Sequence, residues 1–414
     1  MKQKRKEVSK IPNLRFPEFS GEWMEGEIGN YFDFKNGLNK EKEFFGKGTP
    51  IINFKDVYHL TSIEQEHIKG LVELSKNEIE RYSAVKGDVF FTRTSETISD
   101  IGMSATLIEN IDNCVFSGFV LRARPIKPIF NETFTSYCFQ IENIRKEIVT
   151  KSSFTTRALT SGTLLNKVIF RFPKTKKEQT KIGNLLSIID DRIQTQNKII
   201  EELESLLQGF RQKLFSRELK FTDNKGNDFP EWKEKKLGHY LKHKSVRNKS
   251  FEVIRVLSVS NSKGFILQSE QFDNHRVASK DVSNYKIVKK NDIAYNPSRI
   301  NVGSIATLKD FEEGIVSPMY VVFSLKNTLN LTFFENLITT HLFKHLVKIG
   351  CSGSVRDSLN FEDLESFKLK LPTLNEQIKI ADFLISITTK ISSERKILTE
   401  FENQKKYLLQ NMFI

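Results

Sequence analysis

Residues 175–215 read TKKEQTKIGNLLSIIDDRIQTQNKIIEELESLLQGFRQKLF, and residues 373–413 read TLNEQIKIADFLISITTKISSERKILTEFENQKKYLLQNMF. The two stretches align without a gap. Glu178, Gln179, Lys181 and Ile182 fall on Glu376, Gln377, Lys379 and Ile380, and Phe215 falls on Phe413. Self-similarity at a fixed offset marks a tandem repeat, and the rest of the chain has to be read around it.

Each copy carries the marks of one long helix. Thr175 with Glu178 and Thr373 with Glu376 are T-x-x-E capping boxes, and Pro173 and Pro372 stand just upstream, where the chain is still extended. Neither copy contains proline. Ile182, Ile189, Leu203 and Phe210 recur by sevens, and Leu186, Ile193, Ile200, Leu207 and Leu214 form a second row offset by four. The second copy repeats this with Ile380, Ile387, Phe401 and Leu408, and with Leu384, Ile391, Leu398 and Met412. Alternation of four and three is the a/d seam of a coiled coil.

Gln196 interrupts the first seam and Glu394 the second at the matching place. In an antiparallel pair the midpoints cross, so these two side chains are expected to meet and to set the register. A further row of Leu185, Ile199 and Leu206 widens the first stripe beyond a two-helix seam. It leaves room for helices of another protein.

The repeat extends beyond the helices. FPEFSGEW at 16–23 is echoed by FPEW at 229–232, and VKGDVFFTRTSETISDIGMSATL at 85–107 by VKKNDIAYNPSRINVGSIATL at 288–308. Asp88 corresponds to Asp292 and Gly102 to Gly303. Short β-rich runs at 88–92, 119–122 and 320–324 read as strands, and 134–150 and 331–350 as helices. The fold class expected is α+β. Two tandem α/β units, each followed by a long helix, would have their helices paired as an antiparallel coiled coil. The boundaries expected are a flexible basic tail at 1–15, a globular unit at 16–174, a helix at 175–217, a linker at 218–228, a second globular unit at 229–372 and a second helix at 373–414.

Composition narrows the partner. Of 414 residues, 64 are Lys or Arg and 51 Asp or Glu, a formal net charge of +13. The two helices are nearly neutral, so the excess sits on the globular units, where a polyanion such as double-stranded DNA or RNA would bind. Cys114, Cys138 and Cys351 are scattered and form no C-x-x-C, which points to a reducing cytoplasm. No apolar run approaches the ~20 residues of a membrane span.

With these features in view, the chain resembles a specificity subunit of a type I restriction–modification system. The resemblance rests on FPEFSGEW and FPEW, on the VKGD and VKKND strands, and on the EQ-x-KI run that heads each helix. It implies a subunit without catalytic motifs of its own, whose two globular units are target recognition domains, each reading half of a bipartite asymmetric site. It also implies helices that set the gap and dock two modification (methyltransferase) subunits, alongside restriction/translocase subunits. S-adenosylmethionine would then sit on the modification subunit, and ATP and Mg on the restriction subunit.

Candidate DNA-binding residues lie in loops after expected strands. Arg93, Thr94 and Ser95 in FTRTSE, and Asn296, Ser298 and Arg299 in NPSRIN, bring guanidinium groups beside hydroxyl and amide groups. Arginine grips guanine in bidentate fashion or holds a phosphate, and both roles stay open. Lys151, Thr156 and Arg157 in the first unit and Arg356 in the second occupy matching later loops, either facing DNA or forming structural salt bridges. Lys244, Arg247 and Lys249 form a basic run that is phosphate-facing or solvated.

Catalytic signatures are weak. Asn296-Pro297 lacks the following proline and aromatic of an amino-methyltransferase motif, and the His239/His243 and His341/His345 pairs lack the H-E-x-x-H glutamate. The alternative from another class is a single-chain DNA methyltransferase/restriction enzyme with diverged motifs, which would bind its cofactor unaided. A third reading, a general coiled-coil scaffold, predicts no sequence preference on DNA.

Overall fold

The computed structural model describes residues 10–271, 281–352 and 358–414. Its backbone divides into two compact units, Met1–Lys198 with Lys396–Ile414, and Ile199–Arg395. The repeated stretches are single continuous helices, Lys176–Phe215 and Leu374–Asn411. Among the described residues no helix is long and apolar enough to cross a membrane.

In the first unit, strand Met24–Glu27 pairs antiparallel with Ile169–Phe172, so the globular body closes on itself just before the long helix begins. Between them lies a five-stranded sheet in the spatial order Phe32–Asn36, Val120–Pro125, Val89–Thr92, Ser104–Leu107, Ser62–Ile63. The last pair is parallel and the others antiparallel. Val89 and Phe91 enter one apolar cluster and Phe90 another, so both faces of this strand are covered. That is why VFF at 89–91 reads as an unbroken apolar run and does not alternate.

The larger cluster is aromatic. Phe32 stacks on Phe130 at 4.9 Å and Phe170 on Phe172 at 5.0 Å. Each such buried ring stabilises the fold by about 1.5–3 kcal/mol. Ile182, Leu186 and Ile189 of the first long helix and Leu408, Met412 and Phe413 of the second enter the same cluster. Here the seam residues are also globular core. Asp190 ties three elements together by accepting from Tyr137 Oη at 2.8 Å and pairing with Lys405 Nζ at 2.6 Å. Arg192 lies over the Phe401 ring at 5.7 Å, and the opposed numbering shows that these segments run antiparallel.

The second unit repeats the plan. Lys233–Lys236 pairs antiparallel with Lys368–Leu371, and the sheet runs Leu241–Lys244, Val321–Leu325, Ile293–Tyr295, Ile305–Thr307. Tyr295, Phe323, Phe333 and Phe334 fill its core together with Leu214, Ile380, Ala381 and Leu384 from the long helices. Glu204 pairs with Arg395 at 2.5 Å, and Phe210 meets Phe383 edge-on at 5.1 Å, again antiparallel.

Three expectations are corrected. The helices expected at 134–150 and 331–350 are each split, into Glu132–Cys138 and Glu142–Lys151, and into Leu331–Leu337 and His341–Ser352. In the second case Thr340 Oγ1 accepts from the Phe343 amide, so a hydroxyl restarts the helix. In the first, the break lets Phe139 and Ile141 both turn into the core. Finally, residues 10–15 of the expected flexible tail are held in place. Trp23 N donates to Lys10 O at 2.9 Å, Leu14 N donates to Asn411 O at 2.8 Å, and Arg15 is bound to Glu178.

Candidate nucleic-acid interface

The interface loops hang from a scaffold that the repeated motifs build. Glu178 accepts from Trp23 Nε1 at 3.1 Å and from Arg15 Nε at 2.7 Å. Glu376 accepts from Trp232 Nε1 at 3.0 Å. Both carboxylates thus hold the tryptophan just ahead of their unit's entry strand, and Thr175 Oγ1 alone accepts the Glu178 amide at 3.4 Å. The neighbouring glutamines do parallel work. Gln179 Oε1 accepts from Asn131 N at 2.8 Å while its Nε2 donates to Pro173 O at 2.9 Å. Gln377 does the same with Asn330 N at 2.8 Å and Pro372 O at 3.0 Å. The EQ dipeptide is a latch between globular body and rod.

The matched aspartates support the loops from below. Asp88 is fully buried, accepts from Val85 N at 2.8 Å and is clamped by Arg124 through two 2.7 Å bonds. Asp292 accepts from Lys289 N at 2.9 Å and pairs with Lys244 at 2.5 Å. Lys244 therefore serves the fold, and the solvated or phosphate-facing role expected for it is corrected. Gly102 and Gly303 have φ of 64° and 97°, and a Cβ on Gly102 would lie 2.6 Å from Ile148 Cγ2. The turn after each candidate loop needs glycine there.

In the first unit, Thr94–Ser95 is a short strand paired antiparallel with Ala158–Leu159, which in turn pairs with Ser153–Phe154. Thr94, Ser95 and Arg157 share one concavity of about 420 Å³ with Phe54, Tyr58 and Phe119. Glu96, Thr97 and Asp100 complete its wall. Phe54 stacks on Tyr58 at 5.4 Å, and Phe119 is 64% exposed. Asp100 accepts from Thr97 Oγ1 at 2.7 Å and Tyr58 Oη at 3.2 Å. The Thr97 hydroxyl, more than any other group, lowers the Asp100 carboxyl below its usual range, and the Asp100 charge raises the Tyr58 phenol above its own.

The other candidates fall as follows. Arg93 is half-buried, its amide donates to Phe119 O at 3.2 Å, and its guanidinium makes no ion pair among the described residues. Thr156 is exposed at the tip of the 153–159 hairpin, and Lys151 pairs with Glu147 at 3.4 Å one helical turn away. In the second unit Ser298 and Arg299 are exposed, whereas Asn296 is buried and its Oδ1 accepts from Ser298 N at 3.1 Å. That bond shapes the turn and leaves Asn296 facing inward. Arg356 lies outside the described residues. Gln196 and Glu394 are each 7% exposed, Gln196 in the first unit and Glu394 in the second, where Lys390 forms an ion pair with it.

Sequence reasoning missed Phe54, Tyr58, Glu96, Asp100 and Phe119. Two carboxylates in a hydroxyl-rich loop, Glu96 and Asp100, and an aromatic after glycine in a turn were the available signals. Neither says which distant residues they meet.

Comparison with known proteins completes the picture. The family model described as a type I restriction modification DNA specificity domain matches twice, over residues 20–205 and 230–403. The chain is 24% identical over 418 residues to the protein of Methanocaldococcus jannaschii provisionally named the type I restriction enzyme MjaX specificity subunit, covering 98% of this chain and 94% of that one. It is 26% identical over 255 residues to the type I restriction enzyme MjaVIII specificity subunit of the same organism, covering 56% and 58%. The crystal structure of a type I restriction-modification system S subunit from M. genitalium superposes with a TM-score of 0.58 at 16% identity, over 98% of this chain and 99% of that one. None of these comparisons supports a single-chain enzyme. With two copies of the domain spanning most of its length, the chain belongs to the type I restriction–modification DNA specificity family, as a specificity subunit with two tandem recognition domains.

Proposed function

We propose that each globular unit, taken as 16–174 and 229–372, reads one half of a bipartite asymmetric site in double-stranded DNA, and that the long helices set the gap. The observation that carries this is duplication with divergence. The strand pair, the sheet order, the Trp–Glu bond and the glutamine latch are built twice, while the loops at 93–97 and 296–299 differ in side chains. A mechanical frame has been kept and two recognition surfaces have been varied on it.

The dimensions support the reading. A helix of 40 residues rises about 60 Å, and successive major grooves on one face of DNA recur every ~34–36 Å. A rod of that length can bridge two grooves with unread base pairs between them. Ile199 and Leu206 are 37% and 51% exposed, and they supply an apolar stripe for two modification subunits. Restriction/translocase subunits join that complex.

On this reading the chain performs no chemistry. The modification subunits bring S-adenosylmethionine, the restriction subunits bring ATP and Mg, and the complex works in the cytoplasm on cellular DNA. Methylome sequencing of cells with and without the chain, in the presence of its modification partner, tests the assignment. A split methyladenine motif that depends on the chain is expected. Modification without any sequence motif, or a motif present without the chain, would refute it.

A further inference from the structure

We infer that Glu96 and Arg157 form one reading pair, which selects a G·C base pair in the half-site bound by the first unit. The inference rests on the DNA-reading role proposed above. It is built from strand register, burial and charge.

The ladder Thr94–Ser95 against Ala158–Leu159 pairs Ser95 with Ala158. Glu96 and Arg157 stand just beyond this last pair, each in a bend, so the ladder brings both to the same end of the strand pair. Both are exposed, and both border the same concavity. Yet among the described residues neither side chain has an ion pair or hydrogen bond. Two opposite charges on the wall of one concavity, without partners among the described residues, are available to a ligand.

The other carboxylate in the concavity is already committed. Asp100 accepts from Thr97, Tyr58 and Ser99, and these bonds hold the loop. Among the described residues Glu96 is left as a free acceptor and Arg157 as a free donor. A phosphate is a poor occupant, since it would sit beside the carboxylates of Glu96 and Asp100. For the same reason Arg157 is not well placed as a backbone anchor. A base edge carries no net charge and avoids that repulsion.

Among base edges, one matches. In the major groove a G·C pair presents two acceptors on guanine, N7 and O6, followed by the N4 amino donor of cytosine. Arginine supplies two N–H groups to the acceptors, and a carboxylate accepts from the amine. An A·T pair interposes a donor between acceptors and ends in a methyl group, which offers nothing to a carboxylate at that position. Phe119, exposed on the rim, gives the neighbouring base an apolar surface.

The test uses the complete complex of this chain with its modification subunits, acting on a DNA library randomised across both half-sites. The unaltered chain is expected to give a split motif with a G·C pair in one half. Glu96→Gln should reduce discrimination at that pair roughly ten-fold, and Arg157→Gln should affect the same pair, with the other half-site and the gap intact. A thermal unfolding midpoint matching the parent confirms that Glu96→Gln is folded, and this exposed, isosteric change decides the matter if Arg157→Gln is not. A motif unchanged by Glu96→Gln, or methylation lowered equally on all sequences, overturns the reading pair while the functional assignment stands. No split motif from the unaltered chain overturns both.

Discussion

Trp232 donates its indole N–H to Glu376 at 3.0 Å across 144 residues of chain, as Trp23 does to Glu178 at 3.1 Å across 155. Each bond joins the residue just ahead of a globular unit's first strand to the first turn of the helix that leaves it. The two are not equally supported. Glu178 also receives Arg15, whereas one Glu376 oxygen is buried without a hydrogen-bond partner.

This asymmetry gives the first prediction. Glu178→Gln removes the charge that the half-buried Arg15 guanidinium needs, and should cost about 1.5–3 kcal/mol. Glu376→Gln should cost little or stabilise, since the amide still accepts from Trp232 and no longer buries a charge. Denaturant unfolding of the two variants checks the order.

The pH dependence of the second unit follows from the same group. Burial, its largest influence, raises the Glu376 carboxyl above its ordinary value. The folded state therefore holds the proton more tightly than the unfolded chain. The stability this confers is fully present below the unfolded value and is lost as pH rises through the raised folded value. Between those two values the parent should lose stability relative to Glu376→Gln as pH increases. Parallel slopes for the two proteins in urea unfolding across that window would contradict this.

Asp88 and Asp292 should differ in their tolerance to change. Asp88 is fully buried and gripped twice by Arg124, and losing one partner of a buried pair costs about 3–5 kcal/mol. Asp292 receives a single bond from Lys244 where Asp88 receives two from Arg124, so Asp292→Asn should be the milder change. Calorimetric midpoints of the two Asn variants measure the difference.

Arg299 is exposed on the second unit's candidate loop. As a base reader, its replacement by alanine should relax specificity in one half-site only, by about 1–3 kcal/mol at one position. Uniform weakening on all DNA, with a smaller salt slope, would mark a phosphate contact instead.

Gln196 and Glu394 are buried polar residues at matched places in the two seams. Replacing both by leucine should stabilise the rods yet loosen their register. The readout is the gap in the methylated motif. Variants that keep the parent's single gap length would show that register is set elsewhere.

The order of residues along the chain determined the tandem plan, the two long helices and their seams, the paired aspartates and the glycine turns. These are properties of local periodicity and backbone sterics, so a period of seven or a needed left-handed turn is written where it acts. Tertiary structure decided what no local pattern carries. It turned the capping-box glutamates toward tryptophans, split the helices expected at 134–150 and 331–350, drew Asn296 inward and tied down residues 10–15. It also brought Glu96 and Arg157 to one concavity, because the pairing of Ser95 with Ala158 joins segments about sixty residues apart in the chain. Such a register is fixed where one face is buried, here by Ala158, and depends on how the rest of the unit holds the two segments, which no short stretch of sequence contains.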